Sequence, residues 1–237
     1  MDICSLQWLQ RSITSHLQKG IIMNEKLFSE HDRAFYSDGY SLSQSVVEKE
    51  MTRAAIREAT ETLYHSMDDF LSSFIKMAQQ NNKPAQCRRG CSYCCHQPVY
   101  AVNHEFYYLF DYIRKHFSEN QIKSLKQKAI EKHQALRKVS SLKKKHFKAP
   151  CPLLLDGACS AYEARPMACR IYLSTNLQSC IDEFEHPDKT EGFPDLLEFP
   201  LRAGRMLNEG FVAGLKEGGL KAKELTVEAG LLAFWDE

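Results

Sequence analysis

The chain has 237 residues, 43% of them hydrophobic and 26% charged, with 31 Lys+Arg against 30 Asp+Glu for a formal charge of +1. That length buries a core without staples, and the even charge balance excludes both a disordered chain and one that binds polyanions over its whole surface. No apolar run approaches the roughly 20 residues that cross a bilayer, and Met1 to Trp8 has neither a basic n-region nor a continuous apolar h-region, so the expected location is the cytosol.

From about Ser43 to Gln80, apolar residues at Val47, Met51, Ala54, Leu63, Met67, Phe70, Phe74 and Met77 recur at helical spacing and predict one long helix. Asn81-Asn82-Lys83-Pro84 ends it, because the residue before a proline is pushed out of the helical region. Asn103 is placed to cap a helix from His104 to about Phe117, and Ser118-Glu119-Asn120-Gln121 has the form of a capping box opening another that runs toward Lys145. Pro150, Pro152, Gly157, Pro166, Pro187, Gly192, Pro194 and Pro200 make the next stretch loop-rich. A short helix returns over Arg202 to Leu215, ended by Gly218-Gly219, and the tail carries an apolar patch at Leu231, Leu232, Phe234 and Trp235. The expected fold is mainly α: a helical domain with irregular cysteine-rich loops forming a metal or iron-sulfur site. An N-terminal helical region, 1–82, is expected to pack with a cysteine-cluster region, 83–237, as one domain.

Charge is segregated within the neutral total. Gln121 to Lys148 holds ten Lys/Arg against the single acid Glu131, whereas Ile181 to Pro200 holds seven acids against Lys189. The two segments either lie against each other or face separate partners.

Nine cysteines in a reducing compartment stand available to metals or redox chemistry. Cys4 is alone and reads as a bystander, while Cys87, Cys91, Cys94 and Cys95 fall within nine residues and Cys151, Cys159, Cys169 and Cys180 within thirty. Four thiolates close the coordination shell of zinc or hold an iron-sulfur cluster. On a helix the first four would share one face, which cannot surround a metal, so Gly90 is expected to break the backbone and let the thiols converge from a loop. Adjacent Cys94 and Cys95 are awkward ligands for one metal, and one of them is expected to find its partners in the second group.

The run Cys87-x3-Cys91-x2-Cys94-Cys95-His96-Gln97-Pro98-Val99, then Glu105, Cys151-Pro152-Leu153-Leu154, Cys159, Tyr162-Glu163-x-Arg165-Pro166-x-x-Cys169-Arg170 and Cys180, resembles the YkgJ-like cysteine-cluster family, described as a zinc- or iron-chelating domain. The resemblance covers about Cys87 to Cys180 and implies a metal site built on all eight cysteines. Flagellin lysine methylases carry a similar cluster in a longer chain, so the resemblance also admits an enzyme that modifies a protein side chain.

Four thiolates around Zn²⁺ or a [4Fe-4S]²⁺ core leave a charge of about −2, which neighbouring cations and N–H groups must stabilise. Arg165 and Arg170 are the expected groups beside the cofactor, with Arg88 and Arg89 divided between that role and plain surface charge. His96 reads as holding the loop rather than replacing a thiolate, and Tyr93 and Tyr162 as packing aromatics. The spacing of Cys87, Cys91 and Cys94 matches that of radical S-adenosylmethionine enzymes, but no strand-helix series follows it.

The leading expectation is a cytosolic protein binding zinc or an iron-sulfur cluster, with the metal ion and a protein as its candidate partners. A metal-dependent enzyme and a nucleic-acid-binding zinc module are the alternatives. Against nucleic acid, Ile122, Leu125, Ala129, Leu136 and Val139 give the Lys-rich helix an apolar stripe, so its lysines read as a solvated face. If both cysteine groups serve one chemistry, three or more sulfurs, drawn from both, should lie within about 4 Å of one another.

Overall fold

The computed structural model describes residues 25–188 and 194–235; Cys4 lies outside them. The N-terminal half is two helices, α1 (Glu25–Val47) and α2 (Arg53–Gln80), rather than the one long helix predicted from Ser43. Thr52 makes the break: it is extended, and its side-chain oxygen accepts from the backbone N–H of Ala55 at 3.1 Å, satisfying one of the donors that a helix start leaves open. The end of α2 is as predicted. Asn82 takes a positive φ of 56°, and Lys83 N–H reaches back to the carbonyl of Ala78 at 2.9 Å, an asparagine-closed Schellman turn.

After a loop containing a short 3-10 turn (Tyr93–His96) come strand β1 (Tyr100–Val102), α3 (Asn103–His116) and α4 (Glu119–Arg137). Val102, not Asn103, sits at the cap of α3; the Glu105 carboxylate accepts from Val102 N–H at 2.8 Å. Asn103 instead ties in the tail, its carbonyl oxygen accepting from Lys223 N–H at 3.3 Å. The Ser118–Gln121 capping box opens α4 as expected, with Gln121 Oε1 accepting from Ser118 N–H at 2.8 Å. That helix stops at Arg137 rather than Lys145, and Ser141–His146 forms a separate 3-10 segment.

The Pro-rich stretch holds several short elements: a hairpin of β2 (Leu154–Leu155) and β3 (Ala158–Cys159), a 3-10 turn (Tyr162–Ala164), α5 (Met167–Ile171) and α6 (Leu177–Glu185). The hairpin turns on Asp156-Gly157, both at positive φ (49° and 77°), the pair that a two-residue turn favours. Helix α7 (Glu198–Glu217) begins earlier than the predicted Arg202, admits Pro200 in its first turn and closes at Gly218. Strand β4 (Glu224–Thr226) pairs antiparallel with β1, and α8 (Val227–Ala233) carries the apolar tail inward.

Two hydrophobic clusters hold these elements. One joins α3, α4 and α8 through Phe106, Leu109, Ile113, Leu125, Leu231 and Phe234; the other joins α1, α2 and α7 through Val46, Leu63, Met67, Leu207, Phe211 and Leu215. The cysteine-bearing stretch spans both. Leu153, Ala161 and Ala164 are buried in the first cluster, and Met167 and Ile171 in the second. Tyr107 and Tyr108 pack against both clusters.

Helices α1 and α7 approach closely because glycines face the contact: a Cβ on Gly210 would lie 2.0 Å from the carbonyl oxygen of Tyr36. Gly210→Ala should therefore lower unfolding free energy by about 1–3 kcal/mol, since the overpacked atoms are backbone, despite the roughly 1 kcal/mol that alanine gains in a helix. Denaturant unfolding checks this, and an unchanged midpoint would mean that the two helices do not meet so closely.

Candidate metal centre

The first cysteine group lies on a loop, as its spacing required. Cys87 follows α2, Gly90 at φ 93° turns the chain, and Cys91 N–H donates back to Arg88 at 3.0 Å; Cys94 and Cys95 then sit side by side in the 3-10 turn. Of the second group, Cys151 precedes the hairpin, Cys159 ends β3, Cys169 lies in α5 and Cys180 in α6. All eight are free thiols and partly exposed.

Backbone pairing brings the groups together at two places. Cys151 N–H donates to the carbonyl of Cys95 at 2.8 Å, and Ala149 N–H to that of His96 at 2.7 Å. At the other, Gln86 N–H donates to the carbonyl of Ser174 at 2.8 Å while Ser174 N–H donates to Cys87 Sγ at 3.1 Å. The hydroxyls of Ser174 and Ser179 lie against Cys180. The thiols accordingly sense one another across the groups: Cys169 feels Cys151, Cys159 and Cys95, whereas Cys87 feels Cys180 and Cys91. Cys94 and Cys95 hydrogen-bond each other, and Cys94 also feels Cys169 and Cys87. The thiols converge without closing: among the described residues, no three His, Cys, Asp or Glu side chains stand close enough to hold an ion.

Burial sets the chemistry of these sulfurs. It pushes the Cys151 thiol up to about 12, that of Cys159 up to about 11 and that of Cys169 well above the ordinary range. Cys95 moves the other way, down to about 7, because the Cys94 thiol donates to it and Lys132 stands nearby. Several groups favour ionised sulfur: the N–H of Leu153 toward Cys151, of Ala161 toward Cys159, and of Ser174 toward Cys87. Buried neutral thiols do not require such donors; thiolates on a cation do. This donor set fits a soft or borderline metal bound to sulfur.

Of the predicted arginines, Arg165 stands close enough to Cys159 and Cys169 to favour their ionised forms, stacks 3.9 Å over the Tyr162 ring and reaches Asp68 at 3.7 Å. Arg170 is 1% exposed, and its donors go to Asp68 and to the carbonyls of Glu163 and Arg165, with the guanidinium 4.1 Å from the Tyr64 ring. It locks the turn that carries Arg165 onto α2. Arg89 is exposed but lies near Cys159, while Arg88 faces solvent. His96 Nδ1 is 3.0 Å from the Ser92 carbonyl and its ring packs on Phe184, a loop-holding contact.

Two further residues matter here, of which Lys132 was hidden in the sequence and Glu105 stood only as part of the family-like motif. Lys132 looked like one more lysine on a solvated face, yet it is 5% exposed, donates to the carbonyl of Gln97 at 3.3 Å and sits beside Cys95 and Cys151. Its place on the Leu125–Ala129–Leu136 side of α4 was the available signal. Glu105 is buried and accepts from Tyr64 Oη at 2.9 Å and Met167 N–H at 2.7 Å as well as from Val102, joining α2, β1 and the Cys169 helix. The basic and acidic segments do meet, at a part-buried Lys148–Glu183 ion pair of 3.0 Å.

Residues 86–190 match the family model described as "CxxCxxCC: Putative zinc- or iron-chelating domain". The match covers somewhat under half of the chain. No curated protein and no solved structure matches it. The matched stretch contains all eight clustered cysteines together with α3 and α4, while α1, α2, α7 and α8 flank it. Among the described residues, no helix is long and apolar enough to cross a membrane.

Glu105→Gln tests how the domain is tied to its flanking helices. An amide has one acceptor oxygen where the carboxylate has two, so a buried donor loses its partner, at a cost of about 1–3 kcal/mol. Thermal unfolding measures the loss, and an unaltered midpoint would contradict the three-way junction.

Proposed function

We propose that the chain is a cytosolic metal-binding protein in which Cys87, Cys91, Cys94, Cys95, Cys151, Cys159, Cys169 and Cys180 ligate zinc or an iron-sulfur centre. The observation that carries this reading is the backbone pairing of Cys151 with Cys95, which sets buried thiols from two distant stretches beside one another and beside Lys132 and Arg165. Free thiols gain nothing from that convergence; a bound cation turns their mutual repulsion into shared attraction. Zinc would supply structural cross-linking, and an iron-sulfur cluster one-electron chemistry. Arg165 and Lys132 would balance the negative charge of the thiolate set, with Arg170 holding Arg165 in place. The described residues on either side of the expected boundary at residue 82 are read as one domain because Tyr107 and Tyr108 serve both apolar clusters.

Anaerobic purification followed by elemental analysis and a visible spectrum tests the reading. Zinc in a colourless protein, or iron with acid-labile sulfide in a brown one, is the expected result. A protein free of both metals, even after reconstitution with zinc or with iron and sulfide, would overturn it.

Metal removal has a graded consequence. The hairpin keeps its core anchors Leu153, Ala161 and Ala164, so order between Pro150 and Pro200 does not rest on ligation alone. A chelator under reducing conditions should make residues 84–98 and 172–188 protease-sensitive while most helical circular dichroism remains. Unchanged protease resistance would show that these cysteines are not ligands.

A further inference from the structure

The eight cysteines do not divide as the sequence groups them. Cys151, Cys159 and Cys95 are joined by main chain: Cys95 accepts from Cys151 N–H, Cys151 accepts from Leu154 N–H at 2.9 Å, and Leu154 is the cross-strand partner of Cys159. Cys169 lies within electrostatic reach of these three. On the other side, Ser174 bridges Cys87 and Cys180, donating its N–H to the first and laying its hydroxyl against the second. Cys91 senses both of those sulfurs. Cys94 and Cys180 line an open cleft together with Tyr93, Gln97, Lys148 and Tyr172. The break between the two neighbourhoods falls at the peptide bond joining Cys94 and Cys95: both feel Cys169, but Cys94 also feels Cys87, whereas Cys95 pairs through its main chain with Cys151.

Resting on the metal-binding reading above, we infer that the domain holds two separate four-thiolate sites: an inner one of Cys95, Cys151, Cys159 and Cys169, and an outer one of Cys87, Cys91, Cys94 and Cys180 beside the cleft. Each site takes ligands from both stretches of sequence, so neither stretch completes a site alone. The sites differ in setting. The inner one is backed by the α3–α4 cluster, against which Cys151 and Cys159 pack, and has Lys132 and Arg165 as its cations. The outer one opens to solvent through the cleft, where the Lys148–Glu183 pair forms part of the wall. The inner metal is the structural one, and the outer metal is the one that exchanges or meets a partner.

Native mass spectrometry of the full chain loaded with Zn²⁺ under reducing conditions tests this, because paired substitutions report which cysteines share a site. Wild type should carry two zinc ions and each single Cys→Ser variant one. The double variants Cys91→Ser/Cys180→Ser and Cys95→Ser/Cys159→Ser should each keep one zinc, and Cys91→Ser/Cys95→Ser should keep none. On wild type, a chelator should release one zinc at least about tenfold faster than the other, a reading independent of any variant's folding. If Cys91→Ser/Cys95→Ser keeps one zinc while Cys91→Ser/Cys180→Ser keeps none, the sites follow the sequence groups and the inference fails. Loss of all zinc from every single variant whose helical circular dichroism is intact would mean one shared cluster, and it fails again. Failure of wild type to bind zinc, iron or iron with sulfide would overturn the metal-binding reading itself.

Discussion

The proposed metal site turns on the cost of placing charge on partly buried sulfur. A thiol withdrawn from water favours its neutral form, and burial raises Cys151, Cys159 and Cys169 in that direction. The surrounding chain opposes this with N–H groups aimed at sulfur and with Lys132 and Arg165 at the inner thiols. Such groups offset only part of the penalty. A bound metal would remove the rest, and would couple ligation to the order of the loops.

The helices exist, in this account, to hold the two cysteine stretches in register. Arg170, Asp68 and Tyr64 fix α5 to α2, and Glu105 ties the same helix to β1 and α3. Strand β4 closes on β1 and brings α8 under α3, so the chain's tail supports the face on which Cys151 and Cys159 rest. Losing one of these struts would loosen ligand positions far from the substitution.

The helical character and the loop setting of the cysteines were legible from periodicity, from the Asn-Asn-Lys-Pro stop after α2 and from the Ser118–Gln121 capping box. Thr52 was misread because the apolar repeat continues in phase across it, and only its extended backbone reveals the cap. The end of α4 at Arg137 was hidden by a run of lysines that continues past the helix. In the site, Gly90 signalled the loop and Cys94-Cys95 signalled divided loyalties. The partition proposed here was not readable, because it depends on a Cys95–Cys151 pairing across more than fifty residues. Lys132 was not readable either: charge argues for the surface, and only its position on the apolar side of α4 argues otherwise.

The central claim is that sulfur alone holds the metal. X-ray absorption at the edge of whichever metal the purified protein carries tests it most directly. The account predicts a first shell made only of sulfur, at about 2.3 Å for zinc. A shell in which nitrogen or oxygen at about 2.0–2.1 Å makes up half or more of the ligands would contradict it.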